Sequence, residues 1–370
     1  MTHIAVTGMA WHTALGHTLN GVWQRLLDGE SGIAPLPSRH TLKNDRVAAI
    51  PAVDPQDVSS TLHDLTRRTV AAAIEDARLP MPLNRARTVL VIGTSFGARL
   101  DDPQRVDQPL DHWVRDIAEE FGIESVALST ACSSGSDALL VGAELIEAGA
   151  ADLCICGGAD VLSDAKRLAH TALGTMSATT LRSFDERHDG TILGEGVGFL
   201  VLERKGRRPV LPYALLRGAG SSNDAAGLTA PDRDGNGIRL AVQRSLASAG
   251  LRVGDIGLIN AHGSGTLTND QIESAAYERL FGESKPHVFA TKGAFGHTLG
   301  ATGALEAIAL ILALRQRTVP PIHELTTPLR DFSLPMPVAR SEPIDARYGL
   351  SMTIGFGGFN TSLVFERSGA

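Results

Sequence analysis

The segment TACSSG, residues 130–135, decides how the rest of this chain is interpreted. A strand-like apolar run over 126–128 precedes it, and a helical pattern over 136–148 follows. This order predicts that Cys132 lies on a tight turn at a helix N-terminus, where free backbone N–H groups and the helix dipole favour a thiolate. A thiolate attacks an acyl carbon far better than a thiol does. The alternative is a buried packing cysteine, which is the common fate of a free thiol.

Two histidines downstream stand among small residues. His262 lies in NAHGSGT, residues 260–266, directly after an apolar run over 256–259. His297 lies in KGAFGHTLGATG, residues 292–303, which opens an apolar helical pattern that extends to about residue 314. Small neighbours let backbone and substrate come close. Either histidine alone is more simply a capping or core residue, but both together with Cys132 favour a catalytic set.

Composition and charge narrow the class of protein. The 370 residues are 43% hydrophobic and 20% charged, which is typical of a soluble globular chain of two ordinary domains or one large α/β unit. The longest apolar stretch, 307–314, is shorter than a bilayer span, and the N-terminus enters a strand without a signal segment. The formal net charge of −7 argues against nucleic-acid binding and against anionic membranes. Three cysteines cannot form a paired framework, so we expect a cytoplasmic protein in which Cys154 and Cys156 are packing residues.

Strand-like and helical patterns alternate along the chain, which predicts parallel sheets covered by helices. The strand-like runs are 4–7, 89–92, 126–128, 153–156, 198–203, 256–260, 288–290 and 363–366. The clearest helical patterns are 70–77, 136–148, 237–249 and 271–281. The strand, glycine turn and apolar helix around Cys132 recur around His297, which indicates a faint duplication.

One competing motif is GTSFG, residues 93–97, which matches the nucleophile elbow of serine hydrolases and follows a strand. A hydrolase of that kind needs a helix directly after Ser95. The sequence Asp101-Asp102-Pro103 interrupts that turn, which argues against this interpretation.

The motifs stand in the order found in the Cys-His-His β-ketoacyl-acyl-carrier-protein synthases, and the chain resembles that family over nearly its whole length. Further matching segments are IAVTG (4–8), TALG (13–16), LDGESGI (27–33), FDERHDG (184–190), LGEGVG (193–198) and GFGGFN (355–360). The resemblance implies a thiolase-like α/β fold, five-layered (αβαβα) and built from two pseudo-duplicated halves. We expect the half with the nucleophilic Cys132 to span residues 1–205 and the half with the two catalytic histidines to span 206–370, joined at the basic loop 205–212.

The resemblance also implies a set of catalytic roles. Cys132 would carry the acyl chain, and His262 and His297 would stabilise the enolate formed from a malonyl carrier thioester as carbon dioxide leaves. The implied oxyanion hole consists of the backbone N–H groups of Cys132 and Phe356. Lys292 and Glu306 match the supporting charged pair of the family.

Glu306 lies in an apolar helical pattern, where a charge is costly unless it is partnered; the alternative is an exposed position on a helix rim. Ser264 and Thr266 match the positions that bind the pantetheine arm, and Phe356 matches the residue that gates the substrate pocket. No cofactor of the chain itself is implied, because the substrates travel on the phosphopantetheine of an acyl carrier protein. No metal-ligand spacing occurs in the sequence.

Several departures from the family pattern concern specificity and partners. The stretch 97–132 is short, Gly174 stands where a carrier-docking arginine is common, Ile354 replaces a second phenylalanine, and His188 replaces the arginine of the central motif. These departures favour a specialised enzyme for a polyketide, polyene or unusual acyl chain over one for ordinary fatty-acid synthesis.

The expected partners are an acyl carrier protein and a second subunit, either in a homodimer or in a heterodimer with a related ketosynthase or chain-length subunit. The basic cluster 204–208 and the pair Arg67 and Arg68 are candidate docking sites for the acidic carrier; the alternative for the cluster is a solvated loop. Two other functions stay open. One is a non-condensing acyltransferase or thioesterase of the same fold, and the other is a silent chain-length partner, which the presence of Cys132 disfavours.

Overall fold

The structure, a computed structural model, describes residues 4–51, 53, 57–95, 109 and 111–369. Its strands in this part of the chain are β1 (Ile4–Thr13), β2 (Ile33–Pro35), β3 (Arg46–Ala48), β4 (Thr88–Gly93), β5 (Glu124–Leu128), β6 (Leu153–Asp160), β7 (Gly196–Arg204), β8 (Ala214–Asn223), β9 (Ile256–Asn260), β10 (His287–Phe289), β11 (Thr318–Val319), β12 (Glu342–Pro343), β13 (Tyr348–Gly355) and β14 (Phe359–Arg367). Its helices are α1 (Leu19–Leu27), α2 (Val58–Asp76), α3 (His112–Glu120), α4 (Ser134–Glu147), α5 (Asp164–Ala172), α6 (Asn236–Ala249), α7 (Leu267–Phe281), α8 (Lys292–Phe295) and α9 (Thr302–Gln316).

A sheet of ten strands carries a clear internal repeat. Its order is β10-β9-β13-β14-β8-β1-β7-β6-β4-β5. In the first half, β1 pairs antiparallel with β7, β7 antiparallel with β6, and β6, β4 and β5 are parallel neighbours. The second half repeats these relations with β8, β14, β13, β9 and β10 in the same roles. A short antiparallel pairing of β1 with β8 joins the two repeats, so the duplicated architecture predicted from the sequence is confirmed.

Helices cover both faces of each half and produce five layers. Helix α2 packs on the outer face of β1 and β7, and α6 packs on the outer face of β8 and β14. Helices α4 and α9 contact each other between the two halves. The segment 299–316 is long and apolar enough to cross a membrane, but 89% of it is buried inside the protein, as expected for a core helix.

Small residues allow α4 and α9 to meet at their N-termini. A Cβ atom added to Gly135 would lie 2.9 Å from the carbonyl oxygen of Gly300, and one added to Gly303 would lie 2.0 Å from Oγ of Ser136. The two backbones therefore approach more closely than any larger side chain permits. This contact brings the turn that carries Cys132 beside the turn that follows His297.

Some elements differ from the sequence-based expectation. Strands β8 and β13 were not predicted, because the Gly and Ser residues in β8 and the weak alternation in β13 obscure the period-two pattern. Helix α9 begins at Thr302, later than predicted, because Leu299 adopts a left-handed conformation (φ 51°) in a separate turn. Helix α2 begins at Val58, twelve residues before the predicted start of that helix at residue 70.

The basic cluster 204–208 is largely engaged in contacts within the first half. Arg208 forms an ion pair of 2.5 Å with Glu203, which is also 3.5 Å from Arg207. Arg204 donates to the carbonyl of Ile146 in the last turn of α4. These guanidinium groups stabilise the packing around β7, whereas Lys205 and Arg207 are exposed, so a docking role of the cluster stays a prediction. Arg67 and Arg68 likewise form ion pairs, both with Asp64.

Candidate active site

Cys132 lies on the turn between β5 and α4. Ala131 adopts a left-handed conformation (φ 52°), and the hydroxyl of Ser134 donates to the carbonyl of Ala131 at 2.6 Å, which fixes this turn. Cys132 is 4% exposed and reaches a cavity of about 280 Å³. The predicted position of the thiol at the start of a helix is therefore the observed one.

His262 and His297 line the same cavity as Cys132. His262 follows the end of β9, and His297 lies between α8 and the turn that leads into α9. The two imidazole rings meet edge to face, with their centroids 5.5 Å apart. Three residues that lie 130 and 35 positions apart in the sequence thus share one small cavity.

Neighbouring groups determine which ring nitrogen carries the proton in each imidazole. Nδ1 of His297 accepts the backbone N–H of Leu299 at 3.1 Å, and Nδ1 of His262 lies 3.2 Å from the ammonium of Lys292, which can only donate. Each ring nitrogen Nδ1 is therefore an acceptor, and the proton of each neutral ring is on Nε2. Burial, followed by the charge of Lys292, lowers the pKa of both histidines well below the usual value. Both rings are consequently neutral hydrogen-bond donors at physiological pH.

Lys292 and Glu306 form a buried ion pair beneath His262. The Nζ–Oε1 distance is 2.5 Å, and each side chain is 2% exposed. Nζ of Lys292 also donates to the carbonyl of His262 at 2.5 Å. Burial raises the pKa of Glu306 to about 7, and the charge of Lys292 opposes that rise. The alternative of an exposed Glu306 on a helix rim is wrong, and the pair acts on the position of His262.

Phe356 and two hydroxyl residues complete the cavity. The backbone N–H of Phe356 lies beside the sulfur of Cys132 and acts to lower the pKa of its thiol. Ser264 and Thr266 line the cavity, with their hydroxyl oxygens 2.9 Å apart. The structure thus brings all of the sequence-predicted site residues to one place.

The protonation state of Cys132 differs from the expectation. Burial raises the pKa of its thiol to about 11, while the N–H of Phe356 and the charge of Lys292 act in the opposite direction and are weaker. Desolvation disfavours the charged form more than the helix N-terminus favours it. The resting residue is therefore a thiol, and its proton has to leave during acyl transfer.

Two buried carboxylates behind His262 were not identified from the sequence. Glu273 on α7 accepts the backbone N–H groups of His262 and Gly263 at 2.7 and 2.8 Å, and Asp270 accepts that of Gly265 at 3.1 Å. Burial raises the pKa of Glu273 to about 7. These side chains fix the loop that carries His262. Their spacing of three residues on the helix directly after the histidine motif was the available signal.

The two other cysteines and the serine of the hydrolase-like motif are buried in the core. Cys154 and Cys156 on β6 are fully buried, as predicted. The hydroxyl of Ser95 donates to the carboxylate of Asp160 at 3.0 Å, and that carboxylate forms a buried ion pair with Lys166. Because this hydroxyl is buried and donates to a carboxylate, it does not fit the exposed nucleophile of a serine hydrolase. Residues 96 and 97 of the GTSFG motif and the sequence 101–103 lie outside the described residues. Within the described ranges, no three His, Cys, Asp or Glu side chains are grouped to hold a metal ion.

Comparison with known proteins gives the family of the chain. The profile of the β-ketoacyl synthase N-terminal domain matches residues 1–207, and that of the β-ketoacyl synthase C-terminal domain matches residues 213–326. The chain therefore belongs to the β-ketoacyl synthase family.

Similar proteins within this family come from several bacteria. The 3-oxoacyl-[acyl-carrier-protein] synthase 2 of Mycobacterium tuberculosis is 30% identical, with 99% of this chain and 97% of the relative covered. The protein of the same name in Staphylococcus aureus is 29% identical, with 98% of each chain covered. Among solved structures, the ishigamide ketosynthase/chain length factor matches with a TM-score of 0.91 and 28% identity over the whole of both chains. A ketosynthase in complex with its chain length factor from Xenorhabdus doucetiae matches with a TM-score of 0.84 and 29% identity, over 99% of this chain and 98% of the other.

Proposed function

We propose that this chain catalyses the decarboxylative Claisen condensation of malonyl-acyl-carrier-protein with an acyl group carried on Cys132, giving a β-ketoacyl carrier thioester. The observation that carries the proposal is the single cavity that Cys132 shares with two neutral imidazoles, each of which presents Nε2–H. A nucleophile together with two uncharged donors fits a reaction that passes through both an acyl-enzyme and an enolate.

In the first step, the thiol of Cys132 attacks the thioester carbonyl of an acyl carrier protein. The backbone N–H groups of Cys132 and Phe356 stabilise the oxyanion, and preorganised donors of this kind typically contribute about 3 kcal/mol each. The carbon–sulfur bond to the carrier breaks, and the proton of Cys132 leaves with the pantetheine thiol. The raised pKa of Cys132 requires this proton transfer to accompany the attack.

In the second step, a malonyl carrier thioester occupies the same cavity. Its bond to the carboxylate breaks, carbon dioxide leaves, and the electron pair forms an enolate whose oxygen accepts from Nε2–H of His262 and of His297. The enolate carbon then attacks the acyl carbonyl, the bond between the acyl carbon and the sulfur breaks, and Cys132 leaves as a thiolate that takes up a proton from solvent to restore the resting thiol. Neutral imidazoles suit this step because they stabilise the enolate without retaining the malonyl carboxylate as a salt.

Lys292 and Glu306 are positioning residues in this scheme. The ammonium of Lys292 donates to Nδ1 and to the carbonyl of His262, so it keeps Nε2–H directed to the substrate. Ser264 and Thr266 offer hydroxyl groups to the pantetheine arm at the cavity wall. The chain has no cofactor of its own in this scheme, since the arm belongs to the carrier.

We also propose that residues 1–205 and 206–370 are the two functional halves, the first with the nucleophile and the second with both histidines. The protein would act in the cytoplasm on carrier-bound substrates of polyketide or fatty-acid synthesis. Its partners would be an acyl carrier protein and a second ketosynthase-type subunit, identical or related. The ketosynthase and chain length factor pairs among the similar structures support a heterodimer. Light scattering at micromolar concentration should give a dimer with itself or with a co-expressed partner, and a monodisperse monomer in both cases would contradict this.

Intact mass spectrometry with acyl and malonyl carrier proteins tests the function. The proposal expects an acyl-enzyme on Cys132 and then a carrier product extended by two carbons. An acyl-enzyme without extension would identify a non-condensing acyltransferase, and the absence of both would identify a silent partner subunit.

A further inference from the structure

A second buried ion pair, Asp160 with Lys166, has no role in the scheme above. The Nζ–Oδ1 distance is 2.8 Å, and the side chains of Asp160 and Lys166 are 0% and 2% exposed. Asp160 is the last residue of β6, and Lys166 lies in the first turn of α5. Taking two charges out of water is costly, so such a pair is weak evidence for stability, and its purpose has to be sought in what the carboxylate holds.

The carboxylate of Asp160 connects a strand end of the first half to the turn before α9. Its Oδ2 accepts the backbone N–H groups of Ser95 at 2.8 Å and of Gly300 at 2.7 Å, and its Oδ1 accepts the hydroxyl of Ser95 at 3.0 Å. Ser95 follows β4, whereas Gly300 belongs to the turn 299–301. A Cβ atom added to Gly300 would lie 2.6 Å from Oδ2, so only glycine lets the turn approach the carboxylate this closely. Hydrogen bonds to a carboxylate are stronger than those between neutral groups, and Asp160 therefore anchors the turn.

The anchored turn also fixes His297. The N–H of Leu299 donates to Nδ1 of His297 at 3.1 Å, and the next N–H along the chain, that of Gly300, donates to Asp160. Leu299 and Gly300 belong to one turn of 3₁₀ helix. A shift of Gly300 away from Asp160 therefore moves the N–H of Leu299 as well, and with it the contact that keeps the proton of His297 on Nε2.

The two halves place different chemistry at equivalent positions around the two central turns. Gly300 and Cys132 are the middle residues of equivalent turns. Ser95 and His262 each stand two residues after the equivalent strands β4 and β9. The cluster around Asp160 is therefore the counterpart of the active site: hydrogen bonds hold Gly300, whereas Cys132 at the equivalent position lines the cavity.

We propose that Asp160 is a positioning residue for His297, which holds the turn 299–301 so that Nε2–H of His297 stays directed to the enolate. The inference rests on the proposed condensing function. The ammonium of Lys166 binds Oδ1 of the carboxylate and leaves Oδ2 to the two backbone N–H groups. Loss of this anchor should impair decarboxylation, which needs His297, more than acyl loading, which needs Cys132.

Removal of the charge of Asp160 does not itself slow acyl loading. Burial raises the pKa of Cys132 to about 11, and the charge of Asp160 adds to that rise. A neutral residue at position 160 therefore leaves the thiol no harder to deprotonate. A fall in decarboxylation with loading retained is a result that a general loss of structure would not give.

Asparagine at position 160 should break the anchor or keep it, depending on residue 166. In Asp160→Asn, the ammonium of Lys166 can only donate, so the amide oxygen turns towards it and the amide nitrogen faces the N–H groups of Ser95 and Gly300. In the double variant Asp160→Asn/Lys166→Met, the amide oxygen can again accept both N–H groups. The double variant is therefore the matched control for the single one.

Carbon dioxide release from a malonyl carrier protein and single-turnover loading of Cys132 are measured for the wild-type protein and both variants. We expect Asp160→Asn to lower the ratio of decarboxylation to loading about 10- to 100-fold, since a displacement of about 1 Å at a reacting group has effects of up to that size. The double variant should restore most of the ratio. The ¹⁵N chemical shifts of His297 should show a protonated Nε2 in the wild-type protein and the double variant, and a mixture of tautomers in Asp160→Asn.

The possible outcomes separate this inference from the function on which it rests. An unchanged ratio in Asp160→Asn, whether both activities persist or fall together, overturns the positioning role and leaves the condensing function intact. A ratio as low in the double variant as in Asp160→Asn also overturns it, because the lost charge then explains the effect. If the wild-type protein does not decarboxylate the malonyl carrier protein, the proposed function fails and this inference with it. If Asp160→Asn does not fold, Asp160→Leu/Lys166→Met, which fills the space without an acceptor, is compared with the double variant, and equal ratios contradict the inference.

Discussion

Two turns of nearly the same backbone stand at the centre of the molecule, one before α4 and one before α9. Ala131 and Leu299 occupy equivalent left-handed positions, with φ values of 52° and 51°, and each is the first residue of a single turn of 3₁₀ helix. In the first half, the turn carries the thiol of Cys132. In the second half, the N–H of Leu299 donates to Nδ1 of His297 and sets its tautomer. The same duplicated turn therefore carries the nucleophile in one half and fixes a neutral hydrogen-bond donor in the other.

Replacing the nucleophile tests the first turn and should have the largest effect. Cys132→Ala removes the atom that forms the acyl-enzyme, so acyl loading and condensation should be abolished, while malonyl decarboxylation can continue at the enolate site. Intact mass and carbon dioxide release measure the two activities. Cys154→Ala, at a buried core position, is the matched control and should still load. An acyl adduct on Cys132→Ala would place the nucleophile elsewhere.

Replacing His297 tests the second turn. His297→Ala should lower condensation and carbon dioxide release about 100- to 1000-fold, because one hydrogen bond of about 3–4 kcal/mol to the enolate is lost, while some loading of Cys132 remains. Single-turnover loading and steady-state condensation are compared, with the exposed His112→Ala as control. Condensation near the wild-type rate would refute the decarboxylating mechanism and favour a simple acyltransferase.

The close approach of the two turns can be broken by one methyl group. Gly303→Ala places Cβ 2.0 Å from Oγ of Ser136, and the backbone of α4 leaves little space for it to move. We expect the free energy of unfolding to fall by about 2–3 kcal/mol in urea titrations. Gly254→Ala, where a Cβ meets nothing within 4 Å, is the control. Equal midpoints for the two variants would show that α4 and α9 separate without cost.

The pH dependence of alkylation measures the pKa of the Cys132 thiol in the first turn. Because burial raises the pKa of Cys132 to about 11, its thiolate fraction rises with pH throughout the range below that value. The rate of labelling by iodoacetamide should therefore increase about tenfold for each pH unit between pH 7 and 10. Peptide mapping should show Cys132 labelled before the sealed Cys154 and Cys156. A plateau below pH 8 would show that the thiol is activated in the resting enzyme.

The sequence predicted most of the fold because buried strands and glycine turns leave strong local signals. The runs that became β4, β6, β7 and β9 are mostly apolar, and the helical patterns of α4 and α6 were found within two residues of their ends. Strands β8 and β13 were missed because their packing, rather than their composition, selects an extended conformation. The resemblance to the family supplied the order of the two halves.

The sequence likewise predicted some residues of the candidate site and missed others. Cys132, His262 and His297 were found because each lies in a distinctive motif. His170 and Thr191, which also line the cavity, were missed because neither occurs in such a motif and their place at the cavity arises only from tertiary packing. The pKa of Cys132 was misjudged for a related reason, since the sequence reveals the helix N-terminus but not the degree of burial.

The pairing of β1 has a consequence for how the protein is synthesised. Residues 4–13 form hydrogen bonds with β7 and, at Ile4–Val6, with β8, which lie more than 180 positions along the chain. At a translation rate of about 5–20 residues per second, the first strand leaves the ribosome about 10–40 s before its partners exist. During that interval its apolar residues are available to chaperones and to neighbouring nascent chains. Premature termination near residue 190 would therefore leave an unpaired, aggregation-prone strand at the N-terminus.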